Sequence, residues 1–414
     1  MRNLYKSIWK NNNIRYYIIG GGVSRLGDVL SGMAFLFLAY DLTGSAIHTT
    51  GMAVAETVPY LLFGLVGGVI ADWFPRKKLL IFLDCLRIPL LFSVLLFYHM
   101  DAISYIYLLI VSFLIQSIGC FFNPAHRAVL PLITSLEERT VANSLTDTVT
   151  RGVTVLSPVF SVWLLSYGII YFFLLDAVTY FVSVLCLLNV HFSEQNQQTE
   201  KSIKHVFLAI KDFFLWLKKK AVLKYLFLLT FIVVFFNTWV WEVGLLLALA
   251  NMTGNSEEIY SIIQGVFGVT VIATNLCVPI FIKKMNTNTY LIGAGIWGSG
   301  ILYYGILYNI EHFFIGAVLV GIGLPIASLV RVYLIQLLVP GDMLGRAFSS
   351  NAVLLYLANT ISLSIFGILS ITFSIQHLMI GSGLLILLTS IVGLFISVIV
   401  IPKCSRRLPI DFLK

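Results

Sequence analysis

The chain has 414 residues, of which 59% are hydrophobic and only 11% are charged, and its formal net charge is +8. A soluble domain carries about 25% charged residues because water must solvate its surface, so this composition excludes a soluble globular protein and predicts a membrane protein with many spans. The five cysteines lie apart, without a C-x-x-C pair or metal-ligand spacing, and we therefore predict no disulfide framework, no metal site and no cofactor.

Long apolar runs recur along the whole chain. A helix needs about 20 apolar residues to cross the hydrocarbon core, and this scale gives about twelve spans. The spans of the first half are 16–40, 50–71, 79–98, 104–123, 142–165 and 169–190. The spans of the second half are 222–249, 258–282, 289–308, 312–338, 347–371 and 376–401. Because the runs are continuous rather than alternating, we expect helices and not a barrel.

Lysine and arginine are distributed unevenly between alternate loops. If the N-terminus is cytoplasmic, the outer loops, near 41–49, 99–103, 166–168, 250–257, 309–311 and 372–375, hold no lysine or arginine. Basic residues mark cytoplasmic loops, so we predict that both termini are cytoplasmic. The net positive charge then faces anionic membrane lipid, and we expect no nucleic-acid partner.

A polar segment, 191–221, separates the two sets of spans. It begins with the polar linker HFSEQNQQTE and continues with apolar residues at helical spacing between lysines. This pattern is typical of an amphipathic helix on the membrane surface, and a flexible basic linker is the alternative. We therefore predict an N-terminal six-helix bundle over 1–190, a cytoplasmic linker with an amphipathic helix over 191–221, and a C-terminal six-helix bundle with a short cytoplasmic tail over 222–414.

The stretch GGVIADWFPRKK, residues 67–78, places charges between two apolar spans. Its pattern, Gly68-x-x-x-Asp72-x-x-x-Arg76-Lys77-Lys78, resembles the loop 2–3 signature of the major facilitator superfamily. The resemblance implies a cytoplasmic latch of Gly68, Asp72, Arg76 and Lys77, in which the aspartate and arginine lock the cytoplasmic ends of two halves together in an outward-open state. The loop 8–9 counterpart, FIKKMNTN, has no aspartate, so we expect the latch in the N-terminal half only.

Further stretches narrow the resemblance. SRLGDVLSGMAFLFLAYDLTGSA, NPAHRAVLPLI and ERTVANSL resemble the macrolide-efflux-like and enterobactin-exporter-like branch of the drug:proton antiporters. This resemblance implies an all-α membrane protein with the major facilitator fold, in which two pseudo-symmetric six-helix bundles enclose a cavity. A gapless alignment that pairs Arg127 with Arg331 also indicates parallel repeats in the two halves.

Charged residues inside the apolar runs are candidate functional groups, because a charge at the bilayer centre costs about 2.5–3.5 kcal/mol on insertion scales. Three pairs lie one helical turn apart: Arg25 with Asp28, Asp84 with Arg87, and Asp147 with Arg151. We interpret the last two as structural pairs that neutralise each other. For the first, our hypothesis is that Asp28, near the middle of its span, carries a coupling proton for which Arg25 competes; mutual neutralisation is the alternative.

Glu56 and Glu242 have no local partner in sequence. Either can attract a cationic substrate, relay protons or extend to the membrane surface, and we place Glu56 with the proton-coupling candidates. Apolar and aromatic walls with few polar groups suit bulky amphipathic ligands. The predicted substrate-cavity residues are Glu242, Trp239, Phe35, Arg331 and Arg127.

Together with these residues, the resemblance implies a secondary transporter in the inner membrane of a bacterium, which exports an amphipathic small molecule (a drug, a macrolide-like compound or a siderophore) by proton-coupled alternating access. Alternatives are a siderophore importer or uniporter, a lysophospholipid transporter and, more remotely, a membrane receptor. The sequence contains no GxxxxGK[ST] and no HExxH, so we predict neither ATP drive nor an enzyme. The expected partners are the substrate, protons and membrane lipid, and we expect a monomer.

Overall fold

A computed structural model of the protein describes residues 8–44, 46–192, 203–253, 255–282 and 284–405. Within these ranges the chain is helical, without a β-strand. The helices of the first half are α1 (Asn12–Thr43), α2 (Ala46–Trp73), α3 (Arg76–His99), α4 (Tyr105–Ile133), α5 (Leu136–Leu165), α6 (Ile170–Leu188) and α7 (Ile203–Lys219). Those of the second half are α8 (Ala221–Trp239), α9 (Leu245–Ala250), α10 (Ser256–Phe281), α11 (Thr287–Ile306), α12 (Ile310–Leu338), α13 (Leu344–Thr372) and α14 (Ile375–Ser405). A π-helical turn, Val240–Gly244, joins α8 to α9, and a 3₁₀ turn, Gly341–Met343, precedes α13.

Every predicted span coincides with a helix, but polar helix ends shift two of the boundaries. The fourth span was expected to end at 123, yet α4 continues to Ile133 with Pro124 and Pro131 inside it. Helix α5 begins six residues before its predicted span, because Ser135 and Glu138 form a capping box that satisfies its first amides.

Ten helical stretches in the described part of the chain are long and apolar enough to cross a membrane. The predicted spans outside this set, near 142–165 and 289–308, are also helical, as α5 and α11. The prediction of an all-helical membrane protein is confirmed.

The helices pack into two compact units. Unit 1 contains the described residues up to Ala221 together with Ile335–Leu357, and unit 2 contains Val222–Leu334 and the described residues from Ala358 onward. In unit 1, α1 packs against α6, α2 against α4, and α3 against α6. In unit 2, α11 packs against α14. The predicted domain boundaries stay predictions, and most of the polar linker lies outside the described residues.

Helix α2 packs closely against α13 within unit 1, and small residues line both sides of this contact. Gly64 and Gly68 on α2 face Ser349 and Gly345 on α13, and the Ser349 hydroxyl donates to the Gly64 carbonyl. A Cβ on Gly68 would lie 2.5 Å from the Ser349 Cβ, and one on Gly345 would lie 2.5 Å from the Gly68 carbonyl oxygen. The Gly64-x-x-x-Gly68 spacing therefore serves helix packing within this chain, where only a hydrogen atom fits between the backbones.

We expect Gly68→Ala to lower the melting temperature of the purified protein, because the added methyl group overpacks this contact at a typical cost of about 1–3 kcal/mol. Gly152→Ala is the matched control, since a Cβ there meets no atom within 4 Å and alanine is the better helix former. Thermal unfolding in detergent measures both variants. Equal melting temperatures would show that α2 and α13 do not approach this closely.

Candidate functional site

The Asp72 side chain, at the end of α2, is 0% exposed and binds the first turn of α13. Its Oδ1 accepts the Gly345 N–H at 2.6 Å, and its Oδ2 accepts the Arg346 N–H at 3.1 Å and the Arg346 Nε–H at 2.9 Å. First-turn amides have no carbonyl partner within their own helix. The carboxylate therefore caps α13 from another helix, where the helix dipole also favours a negative charge.

Of the other predicted latch residues, Arg76 lies at the same contact and Lys77 lies at the end of α6. Arg76 Nη2 lies 3.5 Å from Asp72 Oδ1 and donates to the Gly341 carbonyl, in the turn before α13, at 2.6 Å. Lys77 Nζ donates to the carbonyls of Leu188 and Val190, both at 2.8 Å. Cations at a helix C-terminus satisfy orphan carbonyls, so Lys77 stabilises the end of α6. Gly68, Asp72 and Arg76 therefore meet between α2 and the segment that begins α13, and Lys77 binds a different helix end.

Arg346 completes this contact and was not predicted as a site residue. Besides Asp72, its guanidinium donates to the Asp342 carbonyl at 2.6 Å and to the Ala209 carbonyl of α7 at 3.5 Å. The available signal was its position: Arg139 and Arg346 each stand in the first turn of the helix that follows a polar turn. That signal suggests a structural role but does not identify the partner.

A second polar contact joins α5 to the end of α12 in unit 1. Asn143 and Gln336 exchange amide hydrogen bonds of 2.6 and 3.2 Å. Arg139 adds bonds to the carbonyls of Gln336, at 3.4 Å, and Pro131, at 3.3 Å. A single glutamine in an apolar run has no periodic signature, so sequence reasoning missed Gln336.

A polar cavity of about 270 Å³ lies among α1, α2, α3 and α4 in unit 1. Its wall includes Arg25, Asp28, Glu56 and Arg87. The three residues predicted for proton coupling thus face one space. A wider depression of about 560 Å³ near Phe37 and Tyr40 is mainly apolar, with Asp41 as its charged residue; we take the smaller cavity as the candidate site because the predicted charges meet there.

Asp28 accepts a hydrogen bond from the Tyr180 hydroxyl of α6 at 2.6 Å. The Arg87 guanidinium lies over the rings of Tyr180 and Phe122, 5.0 Å from each centroid. Arg25 is exposed, and the ion pairs found among the described residues do not join it to Asp28. Arg87 is therefore the buried cation beside the Asp28–Tyr180 pair, and it contacts the face of the Tyr180 ring.

The other two one-turn pairs form ion pairs. Asp84 lies 3.4 Å from Arg87 and also accepts from the Ser183 hydroxyl at 2.7 Å, in a buried setting. Asp147 lies 2.7 Å from Arg151, and these side chains are 26% and 28% exposed. The Asp84–Arg87 pair also reaches the cavity, because Arg87 is part of its wall.

Glu56 lies next to Gly32 in the cavity wall, since a Cβ on Gly32 would be 3.5 Å from Glu56 Oε1. This oxygen is buried and has no hydrogen-bond partner among the described residues. On the neighbouring wall, Asn123 donates to the Tyr60 hydroxyl at 2.8 Å, and the Tyr60 ring stacks on Tyr356 at 4.7 Å. Glu56 is therefore a carboxylate with an open side that faces polar and aromatic groups.

The structure separates Trp239 from Glu242 in unit 2. Trp239 is buried, stacks on Phe366 at 3.9 Å and donates to the Ser382 hydroxyl at 3.1 Å. Glu242 is exposed and lies in the π-helical turn. Residues three apart share a face of an α-helix, but the wider π-turn changes this relation. A Cβ on Gly244 would lie 2.7 Å from the Trp239 ring, so the turn relies on this glycine.

The remaining predicted cavity residues have different surroundings. Phe35 is buried and packs edge-to-face on Phe173 at 4.9 Å. Arg127 is exposed on α4, and Arg331 is partly buried on α12. None of the three lines the polar cavity described above. The described residues also contain no cluster of histidine, cysteine or carboxylate side chains that could hold a metal ion.

Comparison with known proteins assigns the family. The model of the transmembrane secretion effector family matches residues 7–407. The chain belongs to that family. The chain is 24% identical over 398 residues to macrolide efflux protein A of Streptococcus pyogenes, covering 93% of this chain and 96% of that one. It is 22% identical to the MFS-type transporter YkuC of Bacillus subtilis, covering 97% and 95%.

Solved structures agree on the fold. A bacterial homologue of the iron transporter ferroportin, in an outward-facing state, superposes with a TM-score of 0.74 at 15% identity, over 93% of this chain and 99% of that one. The fucose:proton symporter FucP of E. coli superposes with a TM-score of 0.74 at 14% identity, with the same coverage. The chain therefore has the major facilitator fold, and the resemblance noted in its sequence is confirmed. It is a multi-pass membrane transporter.

We expect Asp72→Asn to speed amide hydrogen exchange at Gly345 and Arg346. A side-chain cap of a helix N-terminus contributes about 0.5–2 kcal/mol, which corresponds to roughly 2- to 30-fold in local opening. Mass spectrometry of peptides that begin at Gly341 measures the change. Asp147→Asn is the control, because its exposed pair with Arg151 contributes about 0–1 kcal/mol and does not touch α13. Unchanged exchange in Asp72→Asn would contradict the cap.

Proposed function

We propose that this transporter exports an amphipathic small molecule from a bacterial cytoplasm in exchange for protons, in the inner membrane and with both termini cytoplasmic. The observation that carries the proposal is the pair of carboxylates, Asp28 and Glu56, on the wall of one cavity. A relative of similar length is named for macrolide efflux, which supports export of a bulky organic molecule.

Asp28 is the proton-carrying group of this mechanism. Three aspartates, Asp28, Asp84 and Asp176, surround the Arg87 layer between α1, α3 and α6, and Asp84 and Asp176 are fully buried. Buried charges without opposite partners are strongly unfavourable. The single Arg87 guanidinium cannot neutralise three ionised aspartates, so at least one of the three can bind a proton. Asp84 has the direct ion pair with Arg87. Among the described residues, Asp28 has one side-chain donor, the Tyr180 hydroxyl, and it lines the cavity, from which a proton can enter or leave.

Glu56 is the group that meets the cargo. Its buried oxygen lacks a donor among the described residues, so an ammonium group of the cargo or a proton can occupy the same position. Binding of one then opposes binding of the other, which is the requirement for exchange. Arg25, exposed at the same cavity, competes for Asp28 when the cavity is filled with water.

The latch supplies the conformational step. The Asp72 carboxylate, held by α13 amides and by Arg346, stabilises the arrangement in which the cytoplasmic ends of the helices are joined. When this contact breaks, the cavity opens to cargo on the cytoplasmic side. When the contact forms again, that side closes, and the proton passes through the protein. In this transport cycle, Asp28 binds the proton and Asp72 holds the cytoplasmic side closed.

Fluorescence dequenching in inside-out vesicles with an acidified interior tests the exchange. The panel contains macrolides, other cationic amphiphiles, catecholate and carboxylate siderophores, and lysolipids. We expect cationic amphiphiles to release protons, and Asp28→Asn to reduce this release by at least about tenfold, because a charged membrane group that persists is functional by default. Glu311→Gln is the matched control, since Glu311 is exposed at the start of α12.

Glu56→Gln separates cargo binding from proton transfer. We expect it to weaken uptake of cationic cargo more than that of a neutral analogue of similar size. If labelled cargo still moves but no panel member releases protons, the transporter is a uniporter and the exchange proposal is wrong. Full proton release by Asp28→Asn would assign the coupling proton to another group.

A further inference from the structure

Helix α7 exposes an apolar and basic face. Phe207 is 66% exposed, and Lys211, Phe214 and Lys218 follow at intervals of four, three and four residues, so they share one stripe. Leu208, Leu215 and Lys219 form the neighbouring stripe, and all three are exposed. Phenylalanines and leucines alternate here with lysines, which is the composition of a helix that lies in a membrane interface.

The opposite face of α7 is packed against the protein. Phe213 and Leu217 are buried, and α7 contacts α2. Ala209, on this side, provides the carbonyl that accepts from Arg346 Nη1 at 3.5 Å. The same guanidinium binds Asp72. A displacement of α7 therefore acts directly on the arginine that completes the latch.

The positive charge of the exposed face of α7 favours an anionic partner. Lys211, Lys218, Lys219 and Lys220 are exposed, and Asp212 is the acidic residue of α7. Lys220 lies 5.5 Å from the centre of the Trp216 ring, and tryptophan with lysine is typical of the level of lipid headgroups. An apolar face with snorkelling lysines fits a leaflet that contains anionic lipid.

We propose that α7 binds the anionic lipid surface of the cytoplasmic leaflet and that this attachment stabilises the Asp72–Arg346 contact. Phe207, Phe214 and their leucine neighbours enter the acyl boundary, and the lysines bind phosphate groups. A seated α7 holds the Ala209 carbonyl against Arg346. Anionic lipid thereby favours the closed latch. The inference rests on the latch assigned under the proposed function, but not on the identity of the cargo.

Hydrogen exchange at Gly345 and Arg346 in lipid nanodiscs tests the proposal. The protein is compared in phosphatidylcholine alone and in phosphatidylcholine mixed with phosphatidylglycerol. We expect exchange at these two amides to slow by about threefold or more with the anionic lipid, since local opening controls exchange. The variant Lys211→Gln/Lys218→Gln/Lys219→Gln is expected to lose this difference.

The control variant, Lys10→Gln/Lys224→Gln/Lys284→Gln, removes the same charge from exposed sites outside α7 and is expected to keep the lipid effect. Equal exchange of the unaltered protein in both lipids would overturn the proposal. A lipid effect that survives in the α7 variant would also overturn it, because the lipid would then act elsewhere. Asp72→Asn, measured in parallel, distinguishes a failed latch from a failed lipid effect: if it leaves exchange unchanged, the latch itself is wrong.

Discussion

The burial of the Asp72 carboxylate sets the strongest constraint on unit 1. Removing a charge from water costs several kcal/mol unless its lone pairs are satisfied. Asp72 meets this requirement with two backbone amides and one guanidinium from α13. The short Asp72 side chain reaches the first amides of α13 because the backbones of α2 and α13 are in close contact. This close contact requires glycine at both 68 and 345. Charge, helix terminus and small residues are thus parts of one interaction.

Four acidic residues of unit 1 differ in how many donors they have among the described residues. Asp72 has three donors, Asp84 has an arginine and a hydroxyl, Asp28 has one hydroxyl, and the buried oxygen of Glu56 has none. Asp72 and Asp84 join neighbouring helices, and Asp28 and Glu56 line the cavity. Under the proposed function, the carboxyl groups with fewer donors are the ones that exchange a proton or bind a cation.

The sequence predicts what depends on neighbours along the chain. Apolar runs gave the helices, and the pairs Asp84–Arg87 and Asp147–Arg151 form because one helical turn already brings each pair together. Asp28 shows the limit of this reasoning: its partner is Tyr180, 152 positions away, and not Arg25 one turn back. Arg346 and Gln336 were missed for the same reason, since their partners are fixed by packing between helices. The family motif recovered Asp72 because the motif records a tertiary contact that periodicity alone cannot reveal.

The π-helical turn at Val240–Gly244 affects how this chain aligns with its relatives. Such a turn is how an α-helix absorbs one additional residue without unfolding. A relative whose corresponding helix is regular throughout would be one residue shorter there, and its alignment to this chain needs a gap among 240–244. Without that gap, every position assigned beyond it is displaced by one. Glu242 lies within this turn, so the residue that matches it in such a relative depends on where the gap is placed.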